Sequence, residues 1–471
     1  MTAPATQRIR RFLLPHRPEV ATAASRGAER HRRALLTAAT GVAARAVAMG
    51  ASLITIPLTL HYLGHERFGL WMTISSVVAM ANFADFGIGN GVLNTIAEAS
   101  GKEDMEGVRR AISSGFAVLT AIGATLLALF LMVYRFVSWG DLFRVVSPNA
   151  RAEAGPAMVA FAICFTLNIP LDVVQRVQLG LQQGFRTNIW QLCSSATALL
   201  GILAAVHLHL GVAALVLAFA GAPVVGAAMN ALVFFGVSRR DLLPRWHSVS
   251  RKMISQIAGL GGLFFLIQVV LSISFSADNF IIARTLGVAS VALYSIPQRM
   301  FSLSVVLVGM LVAPLWPAYG EAVSRGDMAW VRRTLSRTLL GVFILTSAVS
   351  GVLVLLSNRI LLLWVGPSIH PPFLLMVGLA GVAVMSSCVG TLQAFMNGAS
   401  MLRFQAMTHC IFGVACLIVK LGFLRRYGIV GVPWAALLTY GLFIILPSIF
   451  YVPRIIKRMT ANAYSALALK S

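Results

Sequence analysis

Two stretches of this chain read alike and lie a fixed distance apart. Residues 98–113 read EASGKEDMEGVRRAIS, and residues 321–336 read EAVSRGDMAWVRRTLS. An offset of 223 residues aligns them without a gap, and the same offset aligns Leu63-Gly64 with Leu286-Gly287. Two matches in one register indicate that the chain contains a duplicated unit.

The composition determines the medium in which this unit folds. Hydrophobic residues make up 58% of the 471 residues and charged residues only 11%, whereas soluble proteins average about 25% charged residues. Together with a mean hydropathy of +0.83, this predicts an all-α integral membrane protein, because a helix satisfies every backbone hydrogen bond within its own segment.

Twelve apolar segments of roughly the length that a bilayer requires, about 20 residues, follow a basic tail. The tail, residues 1–33, lacks an apolar run long enough for a signal peptide. The predicted segments are 34–62, 67–97, 112–135, 155–181, 187–206, 211–236, 253–284, 288–318, 336–356, 372–398, 404–424 and 430–452.

The net charge of +23 is distributed unevenly between alternate loops. With the N-terminus inside, 26 Lys and Arg residues fall on the inner side and eight on the outer side. This asymmetry predicts that both termini lie in the cytoplasm. Because the basic residues lie in short runs between apolar segments, their distribution does not favour nucleic-acid binding.

The repeat divides the segments into two sets of six. The predicted organisation is an N-terminal bundle at 34–237, a basic linker at 238–253, a C-terminal bundle at 254–455 and a second cytoplasmic tail at 456–471. Six segments are an even number, so the two bundles have the same orientation and are related by an axis along the membrane normal. Such parallel repeats are typical of carriers.

The sequence offers little support for an enzyme. No loop is long enough to be a folded domain, and neither Asp141 with Glu153 nor His207 with His209 forms a catalytic pattern. The five cysteines include no CxxC pair, so we predict no disulfide framework, no metal site and no cofactor.

Two arginines lie deep in predicted membrane segments, where ionised side chains are costly and usually functional. Arg45 and Arg299 are each about 11 residues into their segments, near the predicted midplane. At the 223-residue offset they face Gln268 and Ser76, so the repeat does not preserve them. We predict that they bind one asymmetric anionic ligand; the alternative is that Arg45 pairs with Asp85 or Asp278 to tie the bundle together.

Other intramembrane charges have a structural and a functional interpretation. Arg176 follows Asp172 by one helical turn and either pairs with it or binds substrate. Asp85, in a glycine-rich stretch, and Asp278, next to Asn279, also lie at membrane depth, where their structural interpretation is a helix-packing hydrogen bond. Lys420 is predicted to extend to the outer surface.

Six motifs resemble one family of transporters. Similar stretches occur in the polysaccharide and O-antigen flippases (Wzx type) of the multidrug/oligosaccharidyl-lipid/polysaccharide (MOP) exporter superfamily, over about residues 34–455. The motifs are Ile54–Leu60, Tyr62–Gly64, Phe68–Trp71, Asp85–Gly91, Tyr294–Arg299 and Pro314–Gly320.

The resemblance implies a carrier in the bacterial inner membrane. It would move undecaprenyl-diphosphate-linked oligosaccharides from the cytoplasmic to the periplasmic leaflet by alternating access, driven by H⁺ or Na⁺. It implies that Arg45 and Arg299 bind the diphosphate or acidic sugars and that Asp85 and Asp278 serve ion coupling. A polysaccharide polymerase or a glycosyltransferase is a candidate protein partner. The main alternative is a multidrug or cation antiporter of the same superfamily, which would have carboxylates rather than arginines in its cavity.

Overall fold

The computed structural model describes residues 23–80, 84–143, 147–286, 288–365 and 370–468. Within these ranges the secondary structure is helical throughout, with no strand. The α-helices are α1 (Ala23–Met80), α2 (Ile88–Gly101), α3 (Met105–Tyr134), α4 (Trp139–Leu142), α5 (Pro148–Leu171), α6 (Val173–Gly180), α7 (Gly184–His207), α8 (Val212–Val233), α9 (Arg251–Leu286), α10 (Val288–Val312), α11 (Leu315–Ser324), α12 (Met328–Val365), α13 (Phe373–Gly398), α14 (Leu402–Tyr427), α15 (Gly431–Tyr440) and α16 (Leu446–Ala468).

Ten helical segments of the described chain are long and apolar enough to cross a membrane. One of these, Leu402–Lys457, contains two crossings, because the chain turns between α14 and α15 at Gly428. The twelfth crossing is the second arm of α1, beyond a break at Gly64, continued by α2. The predicted all-α membrane fold is therefore confirmed.

The repeated sequences adopt the same backbone conformation. Helices α3 and α12 start at Met105 and Met328, which are 223 residues apart. The loops before them have a left-handed residue at the same place, Glu103 with φ 60° and Gly326 with φ 75°. Their backbone hydrogen bonds also correspond one to one. The duplication is thus visible in the hydrogen bonding of both loops.

A second pair of loops extends the repeat beyond the aligned sequence. The turns between α6 and α7 and between α13 and α14 centre on left-handed Gln182 and Ser400, and their backbone hydrogen bonds match. These residues are 218 positions apart, so the two halves differ by five residues upstream of this turn. Because the offset changes from 223 to 218 residues, a search at one fixed offset detects only the loops before α3 and α12.

Three predicted segments are interrupted in the structure. The fourth, at 155–181, is divided at Asp172 between α5 and α6, and the other two breaks involve glycine or proline. The second crossing was predicted as one continuous helix at 67–97. In the structure a turn at residues 84–87 interrupts it, and Gly87 in this turn has φ 73°. The eighth is broken between α10 and α11 at Ala313 and Pro314, then continues to Ser324. Proline lacks the amide hydrogen that a helix interior needs, and glycine tolerates positive φ.

The bundle has two faces, which we name by the linker. The linker face carries residues 238–250 and the loops before α3, α7, α12 and α14; the distal face is opposite. Both ends of the described chain lie on the linker face, since Arg30 bonds Asp327 there and Val452 packs near Ala34. The linker is held to α3, where Ser113 and Ser114 accept backbone hydrogen bonds from it.

Candidate functional site

A cavity of about 640 Å³ lies in the N-terminal half and reaches the C-terminal half. Its walls come from the first arm of α1, from α5 to α8, and from the junction of α10 with α11. Its size is within the range of small-molecule sites, about 300–1,000 Å³. It is therefore large enough to hold a polar head group or a short sugar chain.

Arg45 is the one charged residue among the described residues that line this cavity. Its side chain is exposed, and none of the ion pairs found between described residues involves it. The predicted alternative, in which Arg45 pairs with Asp85 or Asp278, is wrong, because both aspartates are paired with other cations. The cavity therefore has a net positive charge.

Amide side chains surround the cavity, and one of them has an unused acceptor. The lining includes Asn168, Gln175, Asn188, Gln191 and Asn230. The Oδ1 atom of Asn168 is buried and has no hydrogen-bond partner in the described structure. An unsatisfied buried acceptor is costly, so this atom is well placed to accept a ligand hydroxyl.

A smaller cavity of about 200 Å³ adjoins the first one in the C-terminal half. The two share Ala313 in their walls. Its lining from α13 includes Gln393 and Asn397, and the Oδ1 of Asn397 is also buried without a described partner. Each half thus contributes a polar recess, and an amide oxygen is available in each.

Arg299 is exposed and is not among the described residues that line the cavity around Arg45. It is 28 residues before Asp327, and Arg45 is 15 residues after Arg30. Because Arg30 and Asp327 form an ion pair at the linker face, the helical rise along each segment puts Arg299 farther from that face than Arg45. That both arginines lie near the midplane stays a prediction.

Arg176 and Asp85 belong to one cluster near the linker face. The Arg176 Nε atom is 3.1 Å from Asp172, its Nη1 donates to Asn90 over 2.9 Å, and its Nη2 is 3.9 Å from Asp85. The Asp85 carboxylate also accepts the backbone amides of Gly87 and Gly89. The predicted i, i+4 pair with Asp172 is present, and the cluster fixes the turn between α1 and α2.

Asp278 forms a buried cluster within the C-terminal half. The Nζ atom of Lys420 lies 2.6 Å from one carboxylate oxygen, and the hydroxyl of Tyr294 donates to the other over 2.9 Å. The side chain of Lys420 is 1% exposed. The prediction that Lys420 extends to the surface is wrong, because α14 continues two turns past it and the side chain points toward α9.

Polar contacts join the two halves at the linker face. Arg30 pairs with Asp327 over 2.8 Å and with Glu321 over 3.5 Å, and its side chain is 2% exposed. Further contacts connect Gln182 with Glu321, Glu103 with Arg325, and Asn94 with both Trp316 and Ser400. We call these contacts the latch. The described conformation is closed at the linker face.

The sequence-based interpretation did not identify the latch or the cavity amides. Glu321 and Asp327 appeared only as repeated loop residues, and Arg30 lay in the predicted basic tail, residues 1–33, whose described part from Ala23 is helical. One signal for the latch was available in the sequence. At the 223-residue offset Arg30 matches Met253, so the repeat does not preserve this arginine. The amides Asn168 and Asn397 carry no charge, and polar uncharged residues are common in membrane helices.

The chain matches the family model for polysaccharide biosynthesis proteins over residues 41–323. The chain belongs to this polysaccharide biosynthesis family. This agrees with its resemblance to Wzx-type flippases.

Two curated relatives fit this family. A candidate O-antigen transporter from Salmonella typhi is 22% identical over 87% of this chain and 94% of its own length. A candidate O-antigen export protein from Yersinia pseudotuberculosis is 23% identical over 62% of this chain and 66% of its own length.

Solved structures share the fold. A multidrug resistance MATE family transporter of the MOP superfamily, in an outward-facing conformation, superimposes with a TM-score of 0.71 at 16% identity, covering 91% of this chain and 96% of its own. A Vibrio cholerae MATE transporter gives 0.74 at 14% identity, covering 95% and 99%. The polysaccharide biosynthesis protein is thus a multi-pass membrane protein with the MOP transporter fold.

Proposed function

We propose that this protein is a flippase for lipid-linked oligosaccharides in the synthesis of a bacterial surface polysaccharide. The observation that carries the proposal is the cationic, amide-lined cavity around Arg45. A diphosphate needs its charge neutralised in a low-dielectric site, and a guanidinium provides a planar fork that grips phosphate oxygens and stays protonated. The family match and the O-antigen transport relatives support the same substrate class.

The two recesses suggest how such a substrate is held. The diphosphate binds Arg45, and sugar hydroxyls donate to the free amide oxygens of Asn168 and Asn397. Arg299 is not among the described residues that line the cavity around Arg45, so we propose that it contacts the head group at a later stage of transfer. The undecaprenyl tail remains in the bilayer beside the bundle.

Transport in this proposal follows alternating access between two bundles, 34–237 and 254–455, hinged at the linker 238–253. The latch closes the linker face, which we assign to the cytoplasm because it carries most of the basic residues. The substrate enters when the latch opens. An ion gradient, H⁺ or Na⁺, supplies the driving force. Asp85 is a coupling candidate for either ion, and Asp278, which pairs with Lys420, is a candidate for H⁺.

A cationic cavity argues against the alternative of a multidrug or cation antiporter. Repulsion between Arg45 and a cationic drug disfavours binding, and the cavity has no described carboxylate to offset it. A cation carrier of the same fold would need the opposite polarity.

The test is export of lipid-linked glycan in a strain that depends on this protein, with membrane levels of each variant verified. We expect Arg45→Ala to lower export about 10- to 100-fold, the cost of one charged hydrogen-bonding partner, and Arg45→Lys to restore part of it. Arg332→Ala, on an exposed arginine of α12 outside the cavity, is the matched control and should export normally. Normal export by Arg45→Ala would refute the assignment of the cavity.

Arg299 is tested in the same strain. Arg299→Ala should reduce export while leaving binding of the substrate to purified protein unchanged, because it contacts the head group only after binding. If instead the unaltered protein exports no glycan and lowers the accumulation of cationic drugs, the antiporter function replaces the flippase function.

A further inference from the structure

The buried amine of Lys420 is surrounded by oxygen atoms that belong to two other helices. Its Nζ lies 2.6 Å from the Asp278 carboxylate and 2.9 Å from the backbone carbonyl of Ser274, both on α9. The second carboxylate oxygen accepts the hydroxyl of Tyr294 from α10. Lys420 itself is on α14, so the ammonium connects three helices of the C-terminal half.

These oxygen atoms form a ligand set that suits a small cation. Carboxylate and carbonyl oxygens are the usual protein ligands of hard metal ions, and membrane carriers often bind Na⁺ with such groups inside a bundle. In this protein the Lys420 ammonium takes the position of the ion. It also neutralises Asp278, whose burial in the apolar core would otherwise be costly.

Further polar and charged groups lie on the same three helices. The hydroxyl of Ser274 donates to the carbonyl of Val270, and the thiol of Cys416 is buried. Arg284 on α9 and Arg425 on α14 follow the cluster toward the distal face, and Arg299 on α10 is exposed. Among the ion pairs of the described residues, that of Asp278 is with Lys420.

We propose that Lys420 is a resident cation that occupies a monovalent-cation site in the C-terminal half. The protein itself fills the site, so Na⁺ does not bind at Asp278 in the unaltered chain. Removal of the amine leaves a buried carboxylate, a carbonyl and a hydroxyl without a cation, and this vacated site takes Na⁺. The inference concerns ion selectivity at Asp278 and goes beyond the proposed export activity.

The test measures thermal unfolding of purified full-length protein in about 150 mM NaCl or in choline chloride at the same ionic strength. We expect Lys420→Ala to unfold at least about 3 °C higher in NaCl than in choline chloride, because an ion that binds only the folded state stabilises it. The unaltered protein should show no difference between the two salts.

Two further variants separate a cation site from a general salt effect. Lys420→Ala combined with Asp278→Asn removes the carboxylate and should lose the Na⁺ response. Lys420→Gln is the second single variant if Lys420→Ala cannot be purified, since its amide fills part of the space and still supplies no charge. Lys420→Gln should also unfold at a higher temperature in NaCl than in choline chloride, but with a smaller difference.

The outcomes are distinct. A Na⁺-specific rise that requires Asp278 supports the proposal. Equal unfolding temperatures in the two salts for both single variants would overturn it, and so would a Na⁺ response in the unaltered protein that disappears in Asp278→Asn. Because unfolding is measured without substrate, the result is independent of whether the protein exports glycan.

Discussion

The latch predicts that one side chain at the edge of the membrane controls the conformational balance. Arg30 is almost fully buried and contacts two acidic residues of the opposite half, Asp327 and Glu321. Removal of one partner from a buried ion pair costs about 3–5 kcal/mol. Both carboxylates are about one-sixth exposed (18% and 17%), and Glu321 keeps Arg325 as a partner.

We therefore expect Arg30→Ala to weaken the closed state by about 2 kcal/mol, below the fully buried range. A change of this size shifts the closed-to-open ratio roughly 30-fold, since about 1.4 kcal/mol corresponds to a factor of ten. A population that is closed in the unaltered protein should become a mixture of closed and open molecules.

Spin labels at exposed Lys102 and Arg333 measure this change, because they lie on the linker face in opposite halves. The distance distribution should gain a longer component in Arg30→Ala. Arg33→Ala is the matched control, since Arg33 pairs with Glu29 on its own helix. An unchanged distribution in correctly folded Arg30→Ala would show that the latch does not hold the halves together.

Three further predictions follow from contacts at the linker and distal faces. Gly91→Ala places a methyl group 2.6 Å from a backbone oxygen of α9; we expect it to destabilise the closed state by about 1–3 kcal/mol, again measured with the spin labels, whereas Gly262→Ala has open space and should behave normally. Arg67→Ala removes two hydrogen bonds, of 2.5 and 2.9 Å, to Glu153 of α5 and should lower the free energy of unfolding by about 1 kcal/mol. Thermal unfolding would detect this loss, and an unchanged unfolding temperature would contradict it. The hydrogen bond from Arg239 lowers the pKa of Asp241 in the linker, so its contribution to linker order is present above the ordinary pKa of an aspartate and lost as the pH falls through the lowered value; Arg239→Ala should therefore move the onset of proteolytic cleavage in the linker to higher pH, and an unchanged onset would exclude the pair as its cause.

The fold was predictable because its main signals are contiguous stretches of sequence. Apolar length identifies the crossings, and the repeat at residues 98–113 and 321–336 identifies the symmetry. The structure shows the physical basis of the repeat in the matched turns at Glu103 and Gly326. The interruptions near Gly87 and Pro314 depend on single residues within otherwise helical segments, so their effect on the path of the chain was less evident.

The candidate site was only partly predictable, because it depends on which helices meet. Arg45 was identified by its depth alone, and the structure places it in the cavity. The partners of Asp278 could not be predicted, since Lys420 is 142 residues away and no local pattern connects the two. The relative depth of Arg299 and Arg45 is hard to predict from sequence, because the error of each predicted segment boundary adds to the distance.

The pairing of Asp278 with Lys420 also bears on how the chain is made. Ribosomes add about 5–20 residues per second, so α9 emerges at least several seconds before α14 supplies the lysine, 142 residues later. An aspartate in a membrane helix costs up to about 2.5–3.5 kcal/mol during insertion, the value for the helix centre, and Asp278 lies two turns from the end of α9. The carboxyl group must therefore be tolerated without its lysine for this interval, and the last quarter of the chain completes the burial of a helix that was synthesised long before it.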